Sequence, residues 1–208
     1  MSQPGTSGTG PASLPGLGSM ALLDGWETRS VSAENPTGEK GKGGMAVPDP
    51  ARATSAVWTT AADELGQGWK VRPFLPIKSG ETAVLMDVEG PGIIQHIWMV
   101  EGLRRGHVLR FYWDGEETPS IEVPAPDFFA VGHERFAPVD SAMVAVNPAN
   151  ALNSYWPMPF HERARVTLTN EEAEDHLGVA YQITYALGPV PPNAATFHAQ
   201  WRRASTEE

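Results

Sequence analysis

Apolar and polar side chains alternate in short runs through most of the chain, which is the pattern of extended segments with one face against a core. In residues 83–88, Ala83, Leu85 and Asp87 fall on one side and Val84, Met86 and Val88 on the other, so this strand is expected to be buried on both faces. The turn Glu89-Gly90-Pro91-Gly92 follows, and then Ile94, His96, Trp98 and Val100 line one face of a second strand. A third strand carries Leu109, Phe111 and Trp113 and stops at Asp114-Gly115, a dipeptide suited to the positive φ of a tight turn. Further strands are predicted at residues 69–74, 120–123, 142–147, 163–169 and 179–187. Only residues 55–65 have a helical pattern, and their β-branched content weakens it. About eight short strands between turns define an all-β chain, and a single jelly-roll β-sandwich of antiparallel strands is the architecture with that count.

Gly and Pro carry the turns: the chain has 21 glycines and 19 prolines among 208 residues. Residues 32–50 hold too many of both for a helix or an inner strand, so a long loop is expected there and is kept as a site candidate. Its glycines and lysines lack the Gly-Lys-Ser/Thr order of a phosphate cradle. Residues 155–160 contain Pro157 and Pro159 and are expected to form a rigid crossing loop used for packing. Residues 1–20 read as a flexible leader, resembling a cloning junction at Gly18-Ser19-Met20. Residues 21–201 read as the single domain and residues 202–208 as a polar tail.

The formal charge of −10, from 25 acidic and 15 basic residues, sets the average surface against nucleic acid and anionic membranes. There is no apolar run of membrane-spanning length and no signal peptide in the first residues, which favours a soluble, cytoplasmic protein. With no cysteine, thiolate chemistry and Cys-type zinc sites are excluded. The six histidines show no metal-ligand spacing, and no cofactor is expected. His96, within an alternating strand, is expected to be a hydrogen-bonded core or interface residue. No Gly-x-Ser-x-Gly elbow is present, which argues against an esterase.

Three ordered segments carry a resemblance: Glu89-Gly-Pro-Gly-Ile-Ile-Gln-His-Ile-Trp98; then Arg110-Phe-Tyr-Trp-Asp-Gly-Glu-Glu-Thr-Pro-Ser-Ile-Glu-Val-Pro124 with Asp127-Phe-Phe129; then Tyr155-Trp-Pro-Met-Pro-Phe160. They resemble glycoside hydrolase family 172, first described as the domain of unknown function 2961, from about Ser32 to Trp201. The resemblance implies a jelly roll related to double-jelly-roll capsid proteins, assembly as trimers, and cleavage of fructofuranosides or arabinofuranosides. Family members have two jelly rolls in one chain and carry their two catalytic glutamates in the second. This chain has one unit. Laid on that second half by its Asp114-Gly115 and Asp127-Phe128-Phe129 segments, it places Val108 and Pro126 where the resemblance calls for glutamates.

Candidate ligand-binding residues are therefore Glu34, Asn35, Asp114, Glu116, Asp127 and His133, with no catalytic assignment. Asp114 doubles as a turn former and Asp127 as the cap of a turn. Glu34 and Asn35 offer hydrogen bonds to sugar hydroxyls or close the turn at Pro36, and His133 is the acid-base candidate. Trp113, Tyr155 and Trp156 are sugar-stacking or packing aromatics. The expectation is a self-associating protein, a trimer or hexamer, that serves as an assembly or carbohydrate-binding module. The alternative is a furanoside hydrolase whose site lies at a subunit interface.

Overall fold

Strand alternation becomes two packed sheets in the computed structural model, which describes residues 25–47, 62–100 and 102–205. The larger sheet contains β1 (Glu27–Ser32), β2 (Leu75–Ile77), β4 (Gly92–Val100), β7 (Val139–Asp140), β8 (Val144–Val146), β9 (Leu152–Ser154), β10 (Met158–Phe160) and β12 (His176–Leu187). The second contains β3 (Thr82–Glu89), β5 (His107–Trp113), β6 (Ile121–Pro124), β11 (Arg163–Asn170) and β13 (Ala199–Gln200). Among the described residues, helix is confined to α1 (Ala125–Phe128) and single 3-10 turns at Asp63–Leu65 and Gly132–Glu134.

The neighbour order is β1-β12-β4-β9 in one sheet and β3-β11-β5-β6 in the other. Taken in chain order, these eight strands alternate between sheets except at the β5–β6 hairpin, and wrap around each other as the two four-stranded layers of a jelly roll do. β8, β7 and β13 extend the sheets at their ends, and β10 and β2 pair with β4 and β12 off the main order. The core between the layers is built from inward-facing positions, among them Leu109, Phe111 and Trp113 of β5, Ile97 and Met99 of β4, and Val166 and Leu168 of β11, all nearly inaccessible to water. Phe111 packs against Trp113 and Phe128 at ring-centroid distances of 5.9 and 5.4 Å.

Several expectations are corrected. β3 is buried on one face only: Val84 and Asp87 are exposed, and both Leu85 and Met86 turn inward because the pairing with β11 shifts register between Val166 and Thr167. Residues 69–74 form no strand. The N–H of Val71 donates to the carbonyl of Trp69 at 2.9 Å, a tight reversal that breaks the extended path before β2 begins. Residues 155–160 are not all loop. β9 and β10 run along the same edge of β4, pairing with Ile97–Met99 and then with Gly92–Ile94, and only Tyr155-Trp156-Pro157 leaves the ladder between them. Pro159 is tolerated because β10 pairs with β4 alone. The helix expected at 55–65 lies outside the described residues as far as 61, and of the remainder Asp63–Leu65 forms a single 3-10 turn. The leader at 1–20 also lies outside them. Residues 33–47 are turns and irregular backbone, as the Gly/Pro pattern predicts. Among the described residues no helix is long and apolar enough to cross a membrane.

Candidate functional site

The turn after β5 sets the position of the first acidic group. Asp114 and Gly115 both have positive φ, 54° and 82°, the conformation their residue types allow. The Asp114 Oδ1 then accepts N–H bonds from His161 at 2.9 Å, Glu162 at 2.7 Å and Arg163 at 3.2 Å. Its carboxylate thus fastens this turn to the start of β11. A shallow depression of about 430 Å³ surrounds it, with Glu89, His161 and Arg163 on the walls.

Beyond this turn the chain enters β6, and β13 returns to lie parallel to it. A solvent-open cleft of about 550 Å³ lies here, lined by Glu116, Thr118, Ser120, Glu122, His198 and Trp201 among others. Ser120 Oγ donates to Glu116 Oε2 at 3.0 Å, and Arg110 Nε donates to Glu122 Oε2 at 2.6 Å. Trp201 stands at the wall with 37% of its surface exposed. Trp113, by contrast, is a core residue, and its indole N–H donates to the Phe197 carbonyl at 2.8 Å. That bond ties the segment before β13 to the sandwich.

Asp127 reaches the same wall from α1. Arg105 binds it in two-pronged fashion, Nε to Oδ2 at 2.9 Å and Nη2 to Oδ1 at 2.7 Å, and Trp201 Nε1 donates to Oδ1 at 3.3 Å. The Arg105 guanidinium also lies 5.6 Å from the Trp201 ring centroid. Its own backbone N–H donates to Glu134 Oε1 at 2.6 Å. His133, next to Glu134, is exposed on a turn with φ 60° and is linked to Asp127 only through that neighbour.

The structure therefore joins Glu116 and Asp127 through Trp201, brings His133 to the periphery, and places Asp114 in a separate turn. Glu34 and Asn35 belong to another neighbourhood. Glu34 Oε1 accepts the N–H of Arg72 at 2.5 Å, while its Oε2 is buried with no partner among the described residues. The Asn35 amide donates to the carbonyls of Glu39 at 3.1 Å and Ser30 at 3.4 Å, closing the turn around Pro36.

Sequence reasoning missed His198 and Trp201 as cleft residues, because neither stands in a recognisable pattern. It also missed the meeting of His107 and His176, which open β5 and β12. Their rings contact edge to face at 4.7 Å beside a cleft of about 450 Å³ that includes Arg104, Glu172 and Asp175. His107 is buried and its Nδ1 accepts the Arg104 N–H at 2.8 Å, which leaves the proton of the neutral ring on Nε2. Burial, reinforced by His176, lowers its pKa from 6.5 to about 4 against the opposing pull of Glu172.

Among the described residues no group of three or more His, Asp or Glu side chains is placed to hold a metal ion. At the positions where the resemblance calls for glutamates, Val108 sits in β5 opposite Pro124 and Pro126 is buried in α1. The wrapping order of the strands defines a jelly-roll β-sandwich with a polar cleft at the sheet margin. Residues 50–204 match the model of the first beta-sandwich domain of GH172, and the chain belongs to glycoside hydrolase family 172. A comparison with curated proteins finds no match.

Proposed function

We propose that this chain is a homo-oligomeric, non-catalytic module of its family that binds carbohydrate rather than cleaving it. The observation that carries the reading is which unit the chain matches: residues 50–204 match the family's first β-sandwich, whereas the resemblance assigns the catalytic glutamates to the second, and Val108 and Pro126, laid on that second unit, accordingly bear no carboxyl group. Glycoside hydrolysis needs two carboxyl groups flanking the scissile bond, one of them free to deliver a proton. The nearby candidates are otherwise engaged. Asp127 is clamped by Arg105, and Glu122 accepts from Arg110. Unpaired strand edges of a single sandwich are surfaces on which copies of the chain can join, and three or six copies follow from the trimeric habit that the resemblance implies.

A second reading has one observation in its favour. Glu116 and Glu122 share a solvent-open cleft with His198, and a neighbouring subunit at that cleft completes a furanoside hydrolase. Release of sugar or aryl alcohol from aryl arabinofuranosides and fructofuranosides decides between them. The expected result is no turnover above the uncatalysed rate. Turnover that disappears in Glu116→Gln or Asp127→Asn overturns the proposal and establishes the hydrolase.

A further inference from the structure

The two outer faces of the sandwich differ in chemistry. On the sheet containing β5 the exposed surface is stitched by charge: Arg163 pairs with Asp87 at 2.6 Å, Arg110 pairs with Glu122, and the Arg165 guanidinium lies 5.2 Å from the Tyr112 ring centroid. On the opposite sheet the outward-facing partners in the middle of β1, β12 and β4 are uncharged; the ion pair Arg29–Glu27 lies near the end of β1, at positions that share the parity of buried Val31. Ser30, Thr184 and His96 form one row across β1, β12 and β4, and Ser32, Gln182, Trp98 and Asn153 form the next across β1, β12, β4 and β9. Their neighbours along each strand, such as Val31, Ile183, Ile97 and Met99, are buried, so the period of two turns these rows outward.

At one side of this face an aromatic pair is held in place. Tyr155 belongs to the interruption between β9 and β10, and its ring lies on that of His96 at 4.6 Å and 8° between planes. His96 Nε2 is hydrogen-bonded to Asn153 Oδ1 at 3.1 Å, and the Asn153 amide donates to the carbonyls of Asn147 at 3.2 Å and Ala151 at 3.3 Å. Tyr155 nonetheless remains 43% exposed. An anchored flat ring with one free side, beside half-buried Trp98 and the exposed amide of Gln182, meets both needs of a sugar ring. It gives the C–H face a surface to stack on and the hydroxyls amide and hydroxyl partners, with little ordering left to occur on binding.

We propose that this outer face, centred on Tyr155, His96, Trp98, Gln182 and Thr184, is the glycan-binding surface of the protein and takes an uncharged polysaccharide chain. The inference rests on the carbohydrate-binding reading above and moves the site from the carboxylate cleft to the sheet. Among the described residues the two rows carry no ion pair, and in a chain of formal charge −10 such a face favours a neutral ligand over an anionic one.

Affinity electrophoresis of the full chain through gels containing inulin, dextran or dextran sulfate tests it, with light scattering on each variant. Retardation is expected in at least one neutral gel and not in dextran sulfate. Tyr155→Ala is expected to raise the apparent Kd about tenfold or more, Tyr155→Trp to retain binding, and Gln182→Ala, at an exposed position, to weaken it without affecting folding. Glu116→Gln and Trp201→Ala, in the cleft, are expected to bind as the parent does. Binding that survives Tyr155→Ala and Gln182→Ala but is lost in the cleft variants overturns this inference and leaves the carbohydrate-binding reading standing. Loss of binding in Tyr155→Ala together with a fall in molecular mass identifies the face as a subunit contact and also overturns it. No retardation of the parent in either neutral gel sinks both readings.

Discussion

Asp114 is the acidic residue whose role its geometry decides most directly. One carboxylate oxygen receives three backbone N–H groups, and the residue itself adopts a left-handed conformation that Asp and Asn tolerate better than other side chains. Asp114→Ala is therefore expected to lower the unfolding free energy by about 2 kcal/mol, whereas Asp114→Asn, which retains an acceptor oxygen and the backbone preference, is expected to lose less than half as much. Denaturant titrations of the pair check the order. Equal losses mean that charge, not acceptor geometry, holds the turn. The turn itself was legible because Asp-Gly after an alternating run is a local signal. His107 was not, since its surroundings come from Arg104, Glu172 and His176, assembled only by folding. The unfolded chain takes up a proton at this residue near the ordinary pKa of 6.5, while the folded chain resists until about 4. Between these values the unfolded state binds more protons, so stability falls as pH drops from 6.5 to about 4. The loss is on the order of 3 kcal/mol. Thermal melts across this range are expected to show the decline, and His107→Gln is expected to flatten it. An unchanged slope in the variant assigns the decline to other groups.

At the scale of elements, alternation located the central strands well and misread segments whose pairing is irregular. The segment at 69–74 alternates as a strand does, yet Pro73 carries no N–H and a reversal precedes it, so pattern without partners is not enough. β1 was missed for the converse reason. Its sequence, ETRSVS, is mostly polar, and only Val31 is buried, opposite Ile183 of β12. The split of one strand into β9 and β10 depends on Pro157, whose effect on a ladder is visible only once β4 is known to be the partner. That split has a consequence for Gly92. β10 brings Phe160 so close that a Cβ built on Gly92 meets the ring at 2.6 Å and the Ala186 carbonyl oxygen at 2.7 Å. The oxygen belongs to backbone within β12 and has little room to yield. Gly92→Ala is expected to destabilise the protein by about 1–3 kcal/mol through overpacking. In the double variant Gly92→Ala, Phe160→Leu the penalty of the glycine change is expected to shrink, which a double-mutant cycle on unfolding free energies measures. Strict additivity of the two changes contradicts the close approach.

For the whole molecule, the count of strands reached the right class, but the order β1-β12-β4-β9 over β3-β11-β5-β6 is a long-range fact that no local periodicity encodes. The same distinction governs the site: the carboxylates around Asp114 and Asp127 were visible as a sequence neighbourhood, whereas Trp201 and His198 join it only because β13 pairs with β6. It also frames the question of assembly. Among the described residues, β3 and β1 border one strand each, and they differ in protection. β3 carries the charged Asp87 and Glu89 along its edge, and β7 and β13, at the other ends of the sheets, are two residues long. β1 offers six residues whose charged side chains, Glu27 and Arg29, pair with each other. The proposed assembly would use this edge to pair a second copy. Each copy adds a formal charge of −10, so the proposed association would work against repulsion that salt screens. Light scattering is expected to give three or six times the chain mass of 22.4 kDa, with the larger species favoured as salt rises from about 0.02 to 0.3 M. Thr28→Pro, which removes a backbone donor from β1, is expected to shift the mass downward if the edge is shared. A monomer at every salt concentration excludes the proposed assembly, and an oligomer that dissociates as salt is added assigns its contacts to opposite charges instead of a shared strand edge.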